Sequence, residues 1–322
     1  MTSRLRRGPL LLLLTFAFLV SAEPIVAQPA SSEAASSEGE KFQAKINATA
    51  HALGDNPRFK KLSPEYRQEL VEFVVGNMLF VLLHEIGHAA ITQMDLPVLG
   101  RPEDAADSFA AVGLIRIGSV FSHRVLAEAA KGWFLADRRD VSVGDSVAFY
   151  DEHGLNQQRA YQIVCLMVGS DADKFKDVAA ETKLPQGRQE SCARDFRSAA
   201  HSWDLVLTPR LRAPDQPKTK IDVDYGDAKG DLAVAAQVLR SIGLLETVSE
   251  HTAEAFAWPA PFTLELQSCG FPNARWDLST HKLTLCYELA ADFAVLYTDY
   301  GAASAQARRA APRAKTRKRK SK

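Results

Sequence analysis

The pattern of apolar and polar positions predicts a mainly helical chain with a few strands near its C-terminal end. Its longest apolar segment follows Ser63-Pro64-Glu65, where Ser63 is placed to cap a helix and Pro64 takes the first helical position. From there to about Gln93, apolar residues occupy nearly every face of the helix. A helix that is apolar on all sides is buried in the core of a protein. We therefore predict that this segment is the central helix of the domain.

Further helices are predicted where apolar residues recur at helical spacing. One begins near Pro102, and the others cover roughly residues 121–136, 155–168, 190–206 and 228–242. Strand patterns come late in the chain, because residues 220–225 alternate and residues 263–267 with 282–287 frame an expected hairpin around Asp277. These elements predict an α+β domain that is mostly helical, with a small late β-hairpin or sheet.

The two ends of the chain differ in composition from the middle. Three arginines precede a short apolar run, a pattern typical of a cleaved signal peptide, which we place at residues 1–27. Residues 28–40 are small and polar and are predicted to form a flexible linker, followed by a single domain over residues 41–300 and a disordered basic tail over residues 301–322. The chain is therefore expected to be a periplasmic or secreted bacterial protein whose mature form has no transmembrane segment.

The formal net charge is zero, but the charges are unevenly distributed. Residues 308–322 carry nine basic residues and no acidic one, so the body of the chain is acidic. The tail is expected to be solvated, with anionic components of the envelope or the acidic body as candidate contacts. We expect no nucleic-acid partner.

Four cysteines in an exported chain without a CxxC pair are predicted to form disulfides and not a thiolate metal site. We predict bridges from Cys165 to Cys192 and from Cys269 to Cys286, each of which closes a local loop. The second is favoured because its cysteines flank the hairpin expected around Asp277.

The central helix contains an HExxH motif, His84-Glu85-Ile86-Gly87-His88. A spacing of four residues places both imidazoles on one face of a helix, where they can bind the same Zn²⁺ ion, and Glu85 lies beside them as a general base. The alternative is a chance match. It is disfavoured because two imidazoles and a carboxylate in a buried helix are costly unless a metal or a polar network satisfies them.

A third metal ligand has to come from elsewhere, since catalytic zinc keeps three protein ligands and one open position. The next polar cluster contains Glu103, Asp104 and Asp107 at the start of the following helix. Acidic residues are favoured there by the helix dipole alone, so ligation is not the only explanation. Glu103 has the longest reach and Asp107 shares its face, whereas Asp104 points about a third of a turn away. Asp104 and Asp107 remain alternatives to Glu103 as the ligand.

A second polar cluster, at the start of another predicted helix, contains His153 and Arg159. Either side chain is a candidate for stabilising the oxyanion of a tetrahedral intermediate. The alternative is a network of helix caps and surface ion pairs without a catalytic role.

Four stretches resemble a bacterial secreted family that is described as "putative metallopeptidase": FVLLHEIGHAAI (80–91), LPVLGRPEDAADSFA (96–110), DEHGLNQQRAYQIVCLMVGSD (151–171) and CGFPNARWDLSTHKLTLCYEL (269–289). The second stretch is also similar to the glutamate helix of gluzincins. The resemblance implies a zincin-like fold in which Glu103 binds the metal and Asp107 orients an imidazole.

These observations predict a zinc metallopeptidase that cleaves a peptide or protein substrate, with Zn²⁺ as its cofactor and Glu85 as the general base. Two other functions remain open. The first is a secreted zinc-binding interaction module without catalysis, which Glu85 argues against because a structural site needs no base and normally has four protein ligands. The second is an amidase that acts on cell-wall peptides.

Overall fold

The computed structural model describes residues 32–301, in which ten α-helices accompany one four-stranded sheet. The helices are α1 (Ser32–Ala52), α2 (Pro64–Gln93), α3 (Pro102–Ile117), α4 (Val120–Val143), α5 (Asn156–Ser170), α6 (Lys176–Glu181), α7 (Gln186–Leu207), α8 (Leu232–Ile242), α9 (Leu244–Ala255) and α10 (Tyr287–Leu296). The strands are β1 (Ile221–Tyr225), β2 (Phe262–Gln267), β3 (Ala274–Asp277) and β4 (Lys282–Cys286). The predicted fold class, α+β and mostly helical, is confirmed.

Helix α2 is the central element, as its all-round apolar pattern predicts. Ser63 caps it, because its Oγ accepts a hydrogen bond from the backbone N–H of Tyr66 at 3.2 Å. Helices α1, α3, α4 and α10 pack around it. By length and composition α2 could cross a membrane, but 78% of its most apolar window is buried inside the protein. Its apolar surface is therefore accounted for by the core of the fold.

The linker predicted for residues 28–40 is corrected over residues 32–40, which belong to α1. Small residues suggested a linker, but here they allow close packing: a Cβ atom added to Gly39 would lie 3.2 Å from the Cβ of Phe121 on α4. The helix is held in place further along by the buried side chains of Phe42, Ile46 and Ala50. The predicted signal peptide, residues 28–31 and all but the first residue of the predicted tail lie outside the described residues.

The strands form a sheet in the order β1-β2-β4-β3. The hairpin expected between residues 263–267 and 282–287 is wrong, because these segments are β2 and β4 and pair in parallel. The hairpin joins β3 to β4, which are antiparallel. Asp277 lies at its turn and accepts a hydrogen bond from the backbone N–H of Ser279 at 2.8 Å. Alternation along the chain indicated the strands, but it contains no information on which strands pair.

The four cysteines pair as predicted, Cys165 with Cys192 and Cys269 with Cys286. The first bridge joins α5 to α7. The second bridge is not formed across the expected hairpin. Strands β2 and β4 run in parallel with Gln267 opposite Cys286, and Cys269 follows Gln267 by two residues, which brings the two cysteines together. Two disulfides are typical of a protein from an oxidising compartment.

Candidate metal centre

The HExxH motif lies at a close approach of α2 and α3. A Cβ atom added to Gly87 would lie 3.2 Å from the Cα of Ala106, so the glycine allows the two helix backbones to come together. The chain reverses between the helices in a turn over residues 94–101, which brings the first turn of α3 over the motif. Glu103 and Asp107 therefore face the histidines of α2.

Three side-chain atoms converge at this point. The Nε2 atoms of His84 and His88 lie 3.0 Å apart, and the Oε2 atom of Glu103 lies 3.0 Å from the first and 3.2 Å from the second. Ligand atoms of a tetrahedral site with bonds of about 2.0–2.1 Å are roughly 3.3–3.4 Å apart. Two imidazoles and one carboxylate at this spacing fit a tetrahedrally coordinated metal ion.

Asp107 and Arg159 lie behind His84, on the side away from the converging atoms. An oxygen of Asp107 is 2.8 Å from Nδ1 of His84, which leaves Nε2 of that ring directed at the site. Arg159 donates two hydrogen bonds to the same carboxylate, at 2.7 and 2.8 Å, and its guanidinium lies 3.7 Å from the ring centre of Trp133. A hydrogen-bond partner on the ring nitrogen that does not bind the metal fixes the tautomer and the orientation of a ligand imidazole.

Arg159 belongs to a buried ion pair and not to the surface network that its sequence context offered as an alternative. Its side chain is only 9% exposed, and its Nε and Nη2 atoms both donate to Asp107. It also lines the cavity beside Glu85. Asp104 instead forms a surface ion pair with Arg101 at 2.8 Å and does not point at the histidines.

His153 reaches the site from the loop between α4 and α5. Its Nε2 is 2.9 Å from Oε2 of Glu103, and its Nδ1 is 3.2 Å from Asp151. His84, Glu103 and His153 are also close enough to one another to form a group that could hold a metal ion. The side chain of His153 is 46% exposed, so it borders the site on the solvent side.

The electrostatic environment favours a cation at the point of convergence. Burial alone would raise the pKa of Glu103, but hydrogen bonds from three imidazoles hold it well below its ordinary range. Likewise, burial alone would lower the pKa of His84, whereas its hydrogen bonds to Asp107 and Glu103 raise it to about 9. Asp107 is ionised for a similar reason, since His84 and Arg159 outweigh its burial and hold its pKa at about 2.

Glu85 lies beside the converging atoms, but burial affects its carboxyl group more strongly than the neighbouring imidazoles do. Burial raises the pKa of its carboxyl group, against the opposing effect of His84 and His88. The backbone N–H of Trp276 on β3 donates a hydrogen bond to it, and the Trp276 indole N–H donates to Thr92 on α2 at 2.8 Å. The edge strand of the sheet is thereby held against the motif.

A cavity of about 270 Å³ opens next to Glu85. His84, Glu85, His153 and Arg159 form the polar side next to the metal centre, and residues from α2, α4, α10 and positions 272–274 at the start of β3 form the rest. Trp133, Trp276 and the α10 residues are not among the site residues predicted from the sequence. No local pattern could have identified them, because they join the motif only through tertiary contacts.

The sequence profile of one family, described as "Putative metallopeptidase", matches residues 43–207 and 227–317. Neither the curated proteins nor the solved structures contain a significant match. The two matched segments cover most of the chain and include His84, Glu85, His88 and Glu103, together with the walls of the adjoining cavity. The chain therefore belongs to the family described as "putative metallopeptidase".

Proposed function

We propose that the protein is a zinc-dependent peptidase in which His84, His88 and Glu103 hold the metal and Glu85 is the general base. The observation that carries this proposal is the position of Glu85, which lines the cavity beside the three converging ligand atoms without being one of them. A purely structural zinc site normally has four protein ligands and no need of a base.

Each residue has a distinct part in the proposed hydrolysis. When bound, Zn²⁺ polarises the scissile carbonyl group and increases the acidity of a water molecule. Glu85 accepts the proton of the attacking water and later delivers it to the nitrogen of the leaving amine. The raised pKa of its buried carboxyl group suits it to hold that proton between the two steps.

His153 is the candidate for stabilising the developing oxyanion. Its Nδ1 lies 3.2 Å from the Asp151 carboxylate, and its Nε2 is directed at the site, 2.9 Å from Oε2 of Glu103. A hydrogen bond from this Nε2 to the oxyanion would replace the contact with Glu103. Hydrogen bonding to Glu103 and Asp151 raises the pKa of His153, which favours the protonated ring as a donor. Arg159 supports the site indirectly, through Asp107 and His84.

We further propose that the protein acts in the periplasm or outside the cell. The amino-terminal sequence pattern and the two disulfides support this location.

The decisive variant is Glu85→Gln, which preserves the size of the side chain and removes the base. We expect this variant to bind about one Zn²⁺ per chain, like the wild type, and to lose at least about a hundredfold in kcat on a mixture of peptides. Zinc content by mass spectrometry and cleavage of a proteome-derived peptide library measure the two effects. Equal hydrolysis by both proteins would refute the peptidase mechanism.

The same experiment separates the two alternative functions. A zinc-loaded wild type that cleaves neither peptides nor cell-wall material would support a non-catalytic binding module. Activity on cell-wall peptides alone, lost in Glu85→Gln, would identify an amidase.

A further inference from the structure

We propose that the cavity beside Glu85 is a specificity pocket that takes one large apolar side chain of the substrate, such as Leu or Phe. This inference rests on the proposed peptidase function and adds a substrate preference to it. The pocket is continuous with the metal centre, because His84 and Glu85 line the same cavity. A side chain that enters it therefore belongs to a residue next to the scissile bond.

The walls of the pocket are mostly apolar. They are formed by Val81 on α2, Trp133 and Ala136 on α4, and Leu289 and Phe293 on α10. The volume of about 270 Å³ lies just below the roughly 300–1,000 Å³ of pockets that hold whole small molecules. The pocket is thus suited to one large side chain and not to a folded segment.

The charges at the pocket exclude an ionised side chain. Arg159 at the metal-centre end of the wall is paired with Asp107, and the other charged residues that the described structure places at the wall away from the metal centre are Arg139 and Asp292. One guanidinium nitrogen of Arg139 lies 2.9 Å from both carboxylate oxygens of Asp292, which links α4 to α10. Because each charge is compensated by the other, neither is available to pair with an acidic or a basic side chain of the substrate. Burial of apolar surface remains the main source of affinity.

The test measures binding independently of hydrolysis. The probes are three peptide hydroxamates that chelate zinc and differ only in one side chain, Leu, Ala or Glu, and calorimetry gives their Kd for the zinc-loaded protein. We expect the Leu compound to bind at least about tenfold more tightly than the Ala compound. Equal affinities for these two compounds, or no binding of any of them, would overturn the inference.

Two variants test the walls of the pocket. Ala136→Phe fills the cavity and is expected to bring the affinity ratio of the Leu and Ala compounds to about one, whereas Ala180→Phe, at an exposed position of α6, leaves it unchanged. Asp292→Asn removes the closer of the two carboxylates beside Arg139, with Asp140 remaining 3.7 Å from its Nε, and is expected to strengthen binding of the Glu compound about tenfold. The exposed Asp173→Asn is its control. Zinc content and melting temperature establish that each variant is folded. A folded, zinc-loaded Ala136→Phe protein that keeps the Leu preference would contradict the proposed pocket.

Peptide cleavage by the same proteins distinguishes the two proposals. A Leu preference in binding without any peptide cleavage would leave the pocket in place and refute the peptidase function. Cleavage with no preference for an apolar residue at any fixed position, together with equal binding of the compounds, would refute the pocket alone.

Discussion

His84, Glu85, Asp107 and Arg159 are each less than a tenth exposed, although all four side chains carry polar or ionisable groups. Burial of such groups is costly unless hydrogen bonds and opposite charges compensate for it. Here the compensation is continuous, since Arg159 pairs with Asp107 and Asp107 pairs with His84. Replacing a buried ion pair with apolar side chains often leaves a protein equally stable, so stability alone does not explain this cluster. The need to orient His84 precisely explains it better.

The three carboxylates of α3 provide a test at the level of single residues. We expect Glu103→Ala to lose most of its zinc affinity because it removes a ligand, and Asp107→Ala to lose roughly 10- to 100-fold because it removes the partner of His84. Asp104→Ala is the matched control, since this residue pairs with Arg101 at the surface. Competition with a chelator measures all three affinities. If Asp104→Ala released the metal and Glu103→Ala retained it, the proposed ligand set would be incorrect.

At the level of elements, the site depends on close approaches between helices that glycines permit. The contact between α5 and α7 is the closest of these to a neighbouring backbone, because a Cβ atom added to Gly169 would lie 2.1 Å from the backbone oxygen of Cys192. The disulfide from Cys165 to Cys192 joins the same two helices. Helix α5 also provides Arg159, which holds Asp107 and through it His84. The packing of α5 against α7 therefore helps to position this ligand of the metal centre.

Gly169→Ala is therefore expected to destabilise the protein. The added methyl group meets backbone atoms that cannot rotate away, and we expect the free energy of unfolding to fall by about 1–3 kcal/mol or more. The control is Gly187→Ala on α7, where a Cβ atom meets nothing within 4 Å and the substitution should be neutral or stabilise by up to about 1 kcal/mol. Chemical denaturation of both variants measures the difference. A Gly169→Ala protein as stable as the control would contradict this close helix contact.

At the scale of the whole molecule, metal binding is coupled to proton release. His84 has its pKa raised to about 9 in the metal-free protein, so the ring is protonated in neutral solution, whereas a metal ligand has to be the neutral imidazole. Binding of the metal must then displace this proton. As the pH falls below about 9, protons compete more strongly, and the affinity for the metal decreases.

We expect the apparent zinc affinity to fall by about tenfold per pH unit between pH 8 and pH 6 for each proton released. Chelator competition at several pH values gives this slope, and calorimetry in buffers of different ionisation enthalpy counts the protons. The zinc-loaded protein should also melt at a higher temperature than the chelator-treated protein, because the metal binds the folded state. An affinity that does not depend on pH would show that His84 is neutral in the metal-free protein.

Much of the site was predictable because its geometry is local. Four residues span about one helical turn, so the sequence alone indicates that His84 and His88 share a face and that Glu85 lies beside them. The start of α3 was also predictable, since Pro102 begins the helix and Glu103 and Asp107 are spaced by four residues. These inferences need no knowledge of distant parts of the chain.

The sequence by itself determined the central helix, the motif, the candidate ligands and the cysteine pairs. Only the tertiary structure decided that β2 and β4 are parallel neighbours, that Arg159 supports His84, and that Arg139 and Asp292 meet across the pocket. The physical reason is that hydrophobic periodicity reports which face of an element is buried, but not which element covers it. Contacts between residues 153 positions apart, such as Arg139 with Asp292, depend on the packing of whole helices and strands.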